Sequence, residues 1–158
     1  MKRMLIMAAL LALAAGAFAQ EKPHALRPDQ VRMPASAGAI IQEPVFTDLP
    51  GYGKKCHIGD AWYFTYKFNK NPKLGTAILK IQLFDNKGIR VTDFDVIGMS
   101  EMPSMRGAHD SGEVHFKLNK RGDYLLPVNV VMPGEWEVKL VFLKDKAPVF
   151  RGRFMFKV

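Results

Sequence analysis

The chain has 158 residues, 48% of them apolar and 24% charged, with 23 Lys and Arg against 15 Asp and Glu. That length suits one globular domain, and that composition excludes a disordered or collagen-like chain. A single Cys excludes an intramolecular disulfide scaffold and a Cys-rich zinc module, and no apolar run reaches the roughly 18 residues that a membrane span requires.

In chain order, the first segment reads as an export signal. Lys2 and Arg3 give a positive start, Met4 to Ala15 is apolar throughout, and Ala17-Phe18-Ala19 fits small-x-small cleavage before Gln20. Residues 1–19 are therefore expected to be a cleavable signal peptide and the mature protein to be periplasmic. Cleavage leaves 139 residues with a formal charge of +6, six of the nine Met and one odd thiol, Cys56, in an oxidising compartment. The basic residues fall in small separate clusters (Lys54-Lys55, Lys120-Arg121, Arg151 and Arg153). None makes the aromatic-interleaved stripe of a nucleic-acid binder, so they read as a solvated surface and no nucleic-acid partner is expected.

Residues 20–55 form a Pro/Gly-rich arm, flexible over 20–39, with an edge strand expected within Ala39–Thr47 and a turn at Pro50-Gly51-Tyr52-Gly53. The domain proper is expected over 56–158. From residue 61 the apolar period is two. Trp62, Phe64, Tyr66 and Phe68 mark one strand, and Leu79, Ile81 and Leu83 the next, followed by the Asp85-Asn86-Lys87-Gly88 turn. Ile89–Ile97 reads as a β-branched strand and Gly98–Gly112 as a long polar loop. Val114, Phe116 and Leu118 alternate, the Asn119–Gly122 turn follows, and Tyr124, Leu126, Val128 and Val130 line another strand. Trp136–Phe142 and Phe150–Phe156 close the chain.

About seven short strands, each with one apolar face and turns between, predict an all-β antiparallel sandwich. Pro127 cannot donate to a ladder, which predicts an edge or a bulge there. Gly122-Asp123-Tyr124 fits either a tyrosine corner or an ordinary core tyrosine.

The unusual stretch is Gly98-Met99-Ser100-Glu101-Met102-Pro103-Ser104-Met105-Arg106-Gly107-Ala108-His109. Three of the six mature Met fall within seven residues of Gly/Ser/Pro-rich chain. Thioethers are soft, neutral donors suited to Cu(I), and imidazole also binds copper. Met99, Met102, Met105 and His109 are thus candidate metal ligands. Pro103 restricts the backbone between two of the thioethers, which lowers the entropy lost on convergence. Methionine also plugs irregular gaps, so each could equally cap the core. Cys56, His57 and Met132 are further candidates, since Cys56-His57 precedes the first strong strand and could reach the same end of the sandwich. His115 alternates with Val114 and Phe116 and is expected on the surface.

From Met99 to Val141 the sequence resembles the YtkA-like domain family, related to FixH-type proteins, through Met102-Pro103-Ser104-Met105, Gly122-Asp123-Tyr124 and Met132-Pro133-Gly134-Glu135-Trp136-Glu137-Val138. The resemblance implies an immunoglobulin-like sandwich outside the cytoplasm, with Met102 and Met105 as loop ligands and Trp136 as a structural hairpin residue. It also implies a link to copper supply or oxidase assembly. FixH-type members carry a membrane span, whereas a cleavable signal leaves none in this mature chain.

Two functions follow as expectations. One is an exported copper-binding protein, a Cu(I) carrier or a homeostasis or resistance factor, partnered by another envelope copper protein or an oxidase. The other is a metal-free immunoglobulin-like binding or assembly module of the cell envelope, with the Met loop as an adaptable apolar tip. An enzyme is not expected: adjacent Cys56 and His57 point to opposite faces of a strand, and no phosphate loop, nucleophile elbow or paired-carboxylate signature occurs.

Overall fold

The structure is a computed structural model describing residues 44–158. The expected signal peptide over 1–19, the expected arm over 20–39 and most of the Ala39–Thr47 segment lie outside the described residues.

The strands are β1 (Thr47–Asp48), β2 (Cys56–Ile58), β3 (Trp62–Phe68), β4 (Gly75–Asp85), β5 (Asp95–Glu101), β6 (Val114–His115), β7 (Lys117–Leu118), β8 (Tyr124–Val130), β9 (Glu135–Lys144) and β10 (Ala147–Lys157). They form two five-stranded sheets, the first in the order β1-β10-β9-β5-β6 and the second in the order β2-β3-β4-β8-β7. All pairings are antiparallel except β1 with β10. The all-β sandwich is as the periodicity predicts. Within it, β3-β4-β8-β7 facing β10-β9-β5-β6 reproduces the ABED and GFCC′ sheets of the immunoglobulin fold. Among the described residues no helix is long and apolar enough to cross a membrane.

Alternation fixes what lies between the sheets. Phe64, Tyr66 and Phe68 of β3 and Leu79, Ile81 and Leu83 of β4 point inward against Trp136, Val138, Leu140 and Phe142 of β9. The rings of Phe64 and Phe142 meet at 4.5 Å, and those of Tyr66 and Phe154 at 4.6 Å. A one-residue slip of register would turn each such row out to water, so the pattern sets the pairing.

Three local differences separate the structure from the sequence reading. The sandwich starts before residue 56, because Thr47–Asp48 pairs with Gly152–Arg153 of β10. The Ile89–Ile97 strand moves downstream to Asp95–Glu101 and takes in Gly98 and Met99, which had read as loop. Gly98 is an inner-face residue: a Cβ there would sit 2.6 Å from Leu126 Cδ2 and 2.8 Å from Phe116 Cε2. Side chains from outside β5 fill its place, which breaks the apolar alternation that sequence reading depends on. The single strand expected over Val114–Leu118 is two. Val114–His115 pairs with β5 in one sheet and Lys117–Leu118 with β8 in the other, with buried Phe116 at the crossing. Period two survives the crossing, so alternation could not reveal it.

Tyr124 takes the second of its two expected roles. It opens β8, and its hydroxyl accepts the Phe94 N–H at 3.2 Å, 30 residues upstream. A tyrosine corner bonds locally and near the start of the F strand. Tyr124 is instead a core tyrosine that ties the approach to β5 onto the facing sheet. Pro127 behaves as expected of an edge: β7 covers only Tyr124 and Leu125, so no strand needs the missing N–H on that side.

Candidate functional site

The loop from β5 to β6 is closed at its base by two serines. Ser100 N–H donates to Ser111 Oγ at 2.9 Å, and Ser111 N–H donates to Ser100 O at 3.0 Å. Between them Pro103–Met105 makes one 3-10 turn, in which Met105 N–H donates to Met102 O at 2.9 Å. Proline suits the first position of that turn because its absent N–H would have no partner there. A second turn follows, with Ala108 N–H donating to Met105 O at 3.1 Å. The loop is therefore held by its own backbone.

This backbone sends the candidate ligands in different directions. Met99 lies on the outer face of β5, opposite Lys139 of β9. It lines a groove of about 550 Å³ together with Phe46, Arg106, Glu113, Lys139 and Arg153. Met102 is 4% exposed and belongs to the core, with its Cε 2.7 Å from where a Cβ on Gly134 would lie. Met105 is 42% exposed on the 3-10 turn. His109 is half-buried and lines a cavity of about 280 Å³ with Ser100, Asp110, Ser111, Asn129 and Trp136. Met132 is partly buried against the core, and its carbonyl accepts the Trp136 indole N–H at 3.1 Å.

The sequence reading treated Met99, Met102, Met105 and His109 as one loop set, and that needs correction. Met99 is a strand residue pointing away from the core, and alternation puts its neighbour Ser100 on the other side. Met102 takes the gap-filling role that methionine often has. Met105 and His109 are the members of the set that the loop offers at the surface.

Cys56 and His57 do not join them. Adjacent on β2, they face opposite sides, Cys56 buried and His57 exposed. Cys56 pairs with Phe64, whose ring meets Phe142, the register partner of Val96. Cys56 is thus level with Val96, five residues or about 17 Å along β5 from Glu101 at the loop's base. Burial pushes its thiol up to about 11, which disfavours the thiolate at neutral pH.

Charge separates the two sides of β5. On the outer face, Lys139 pairs with Glu101 and lies 3.6 Å from Glu137 Oε2, and Arg153 reaches Glu137 Oε1 at 3.4 Å. Burial opposes ionisation of Glu101, but the hydrogen bond from Lys139 and the charges of Lys139 and Arg106 outweigh it and hold the carboxyl below its usual range. Among the described residues lining that groove Met99 is the one soft donor, with no imidazole or thiol beside it. The His109 cavity has an acid, two hydroxyls, an amide and an indole instead. Among the described residues no three His, Cys, Asp or Glu side chains gather as a metal-binding group. A metal at this end would therefore depend on thioether sulfur.

Ser100, Ser111 and Asn129 escaped the sequence reading. The signal available for the first two was a pair of serines flanking the Met-rich stretch; for Asn129, which arrives from β8, there was none.

No protein-family model matches the chain, and no curated protein is similar to it. Among solved structures it is similar to FetP of uropathogenic Escherichia coli strain F11, a protein expressed in the periplasm of E. coli BL21(DE3), at 11% identity and a TM-score of 0.47. The match covers 68% of this chain and 93% of that chain. A likeness at that level bears on neither family nor function.

Proposed function

We propose that the protein is an exported, periplasmic Cu(I)-binding protein, a carrier or homeostasis factor, with Met105 and His109 as its surface donors. The observation that carries this reading is the serine-closed loop, which presents an exposed thioether and, four residues on, a half-buried imidazole. Thioether and imidazole together select Cu(I) over hard cations. Met102 and Met132 at the core rim are reserve donors, reached only if the loop opens. A site with few protein ligands suits transfer, because a partner such as another envelope copper protein or an oxidase can replace them one at a time. The likeness of Met102-Pro103-Ser104-Met105 to the YtkA-like pattern supports the same reading.

The test is a Cu(I) titration of the processed chain, beginning at Gln20, against a competing chelator. The wild type takes the metal from the chelator, and the Met105→Leu/His109→Ala double variant binds at least about tenfold more weakly, the loss of two ligands. Equal binding by both proteins rejects the site.

One observation favours the second reading, a metal-free envelope binding or assembly module: Met102 seals the core and Met99 lies on the outer face of β5, so the sulfurs do not form a cluster. On that reading Met105 and the exposed Val131 form an apolar tip, and an envelope partner is captured equally with and without copper.

A further inference from the structure

Two of the three basic clusters, Lys54-Lys55 and Lys120-Arg121, fall in the same half of the sandwich, while Arg151 and Arg153 lie on β10 in the other. Residues 50–91 and 116–130, which build the second sheet and its turns, contain eleven Lys and Arg against three Asp and Glu. The remaining described residues, which build the first sheet, contain seven against nine.

The concentration is greatest where two turns adjoin. The turn after β4 carries Lys87, Ile89 and Arg90; β7 carries Lys117 and Leu118, and the β7–β8 turn Lys120 and Arg121. Arg90 joins the two, with its Nη1 donating to Gly122 O at 3.4 Å and its Nη2 to Asp123 Oδ1 at 2.6 Å. Asp123 is thereby occupied. Lys87, Lys117, Lys120 and Arg121 are exposed, and none has a carboxylate within 4.0 Å among the described residues. Among these cations stand two apolar side chains open to solvent, Ile89 at 61% and Leu118 at 47% exposed.

We infer that this corner docks on an anionic lipid surface, with Ile89 and Leu118 entering the headgroup boundary and the four free cations lying over lipid phosphates. Charge complementarity identifies the partner as anionic. The placement of the apolar residues selects a lipid surface over an acidic protein: they stand singly, Ile89 on a turn and Leu118 at the end of the two-residue edge strand β7, each beside cations. A headgroup layer accepts such isolated tips and satisfies both kinds of side chain at once. The inference is independent of the copper reading and uses none of its residues.

The experiment is co-sedimentation of the processed chain with vesicles of equimolar phosphatidylglycerol and phosphatidylcholine, and with phosphatidylcholine alone. Binding to the anionic vesicles only is expected, with loss at high salt. Lys120→Glu/Arg121→Glu should weaken it by about tenfold or more, and Ile89→Ser/Leu118→Ser should weaken it as well. Lys146→Glu/Lys157→Glu, which makes the same charge change on the first sheet, should leave most of it. No sedimentation, equal sedimentation with neutral vesicles, or indistinguishable effects of the two charge reversals would overturn the inference. Displacement by inorganic phosphate beyond that by chloride at matched ionic strength would also overturn it, pointing to a phosphate site. So would retention on immobilised polyglutamate without vesicle binding, pointing to an acidic protein.

Discussion

Between Met102 and Met105 the backbone makes a single 3-10 turn, and that turn separates two thioethers of identical chemistry. One fills the space above Gly134 at the rim of the core; the other is left in water. Truncating the first leaves a cavity in the core, whereas truncating the second removes a side chain that solvent already reaches. Met102→Ala is therefore expected to destabilise the domain by about 2–4 kcal/mol, and Met105→Ala by no more than about 0.5 kcal/mol, both read from urea unfolding midpoints. Equal effects would mean that the loop does not divide the two sulfurs in this way. Gly134 belongs to the same arrangement. Its φ of 143° suits glycine, and any Cβ there would strike Met102.

At the scale of elements, Asp123 at the start of β8 ties three segments together. Its carboxylate accepts from Gln82 of β4 at 2.7 Å, from Arg90 at 2.6 Å and from Asn119 at 3.4 Å. Burial alone would raise its pKa, but the amide hydrogen bonds from Gln82 and Asn119 and the charges of Lys80 and Arg90 outweigh that and hold the carboxyl below its ordinary range. A carboxyl depressed in the folded state stabilises the fold fully above its unfolded value, about pH 4, and that contribution is lost as pH falls through the folded value. Asp123→Asn should cost about 1.5–3 kcal/mol at neutral pH and progressively less on acidification. A variant whose deficit is constant from pH 7 down to strong acid would contradict the assignment.

Strands with uninterrupted alternation were legible in the sequence. The β8 strand appears where Tyr124, Leu126, Val128 and Val130 place it, and β3 follows its aromatic row from Trp62 to Phe68. Alternation failed where the inner face is filled from elsewhere, as at Gly98, and where a strand changes sheets without changing period, as at Phe116. The candidate site was legible as composition and not as geometry. Sequence shows that three Met and a His are close along the chain. It does not show that Met99 is the outward member of a strand pair with Lys139, or that Asn129 arrives from another strand beside His109.

For the whole molecule, both sheets share one core, while their outer faces differ in charge. The first sheet pairs most of its carboxylates, as in Glu101 and Glu137 with Lys139, and Asp95 with His115 at 2.8 Å. The second leaves lysines unpaired, and Lys67 stands directly opposite Lys80 in the β3–β4 register. Like charges directly opposite destabilise a sheet, and an anionic surface alongside would relieve that repulsion. In the proposed account the cationic half holds the domain at a lipid surface, while the serine-closed loop at the sandwich end exchanges copper.

The most direct test of that exchange site is X-ray absorption at the copper edge on the processed chain loaded with one equivalent of Cu(I). The account predicts a mixed sulfur and nitrogen shell, with the nitrogen contribution lost in His109→Ala and the sulfur contribution reduced in Met105→Leu. A shell of oxygen and nitrogen alone, or a spectrum that neither substitution changes, would contradict it.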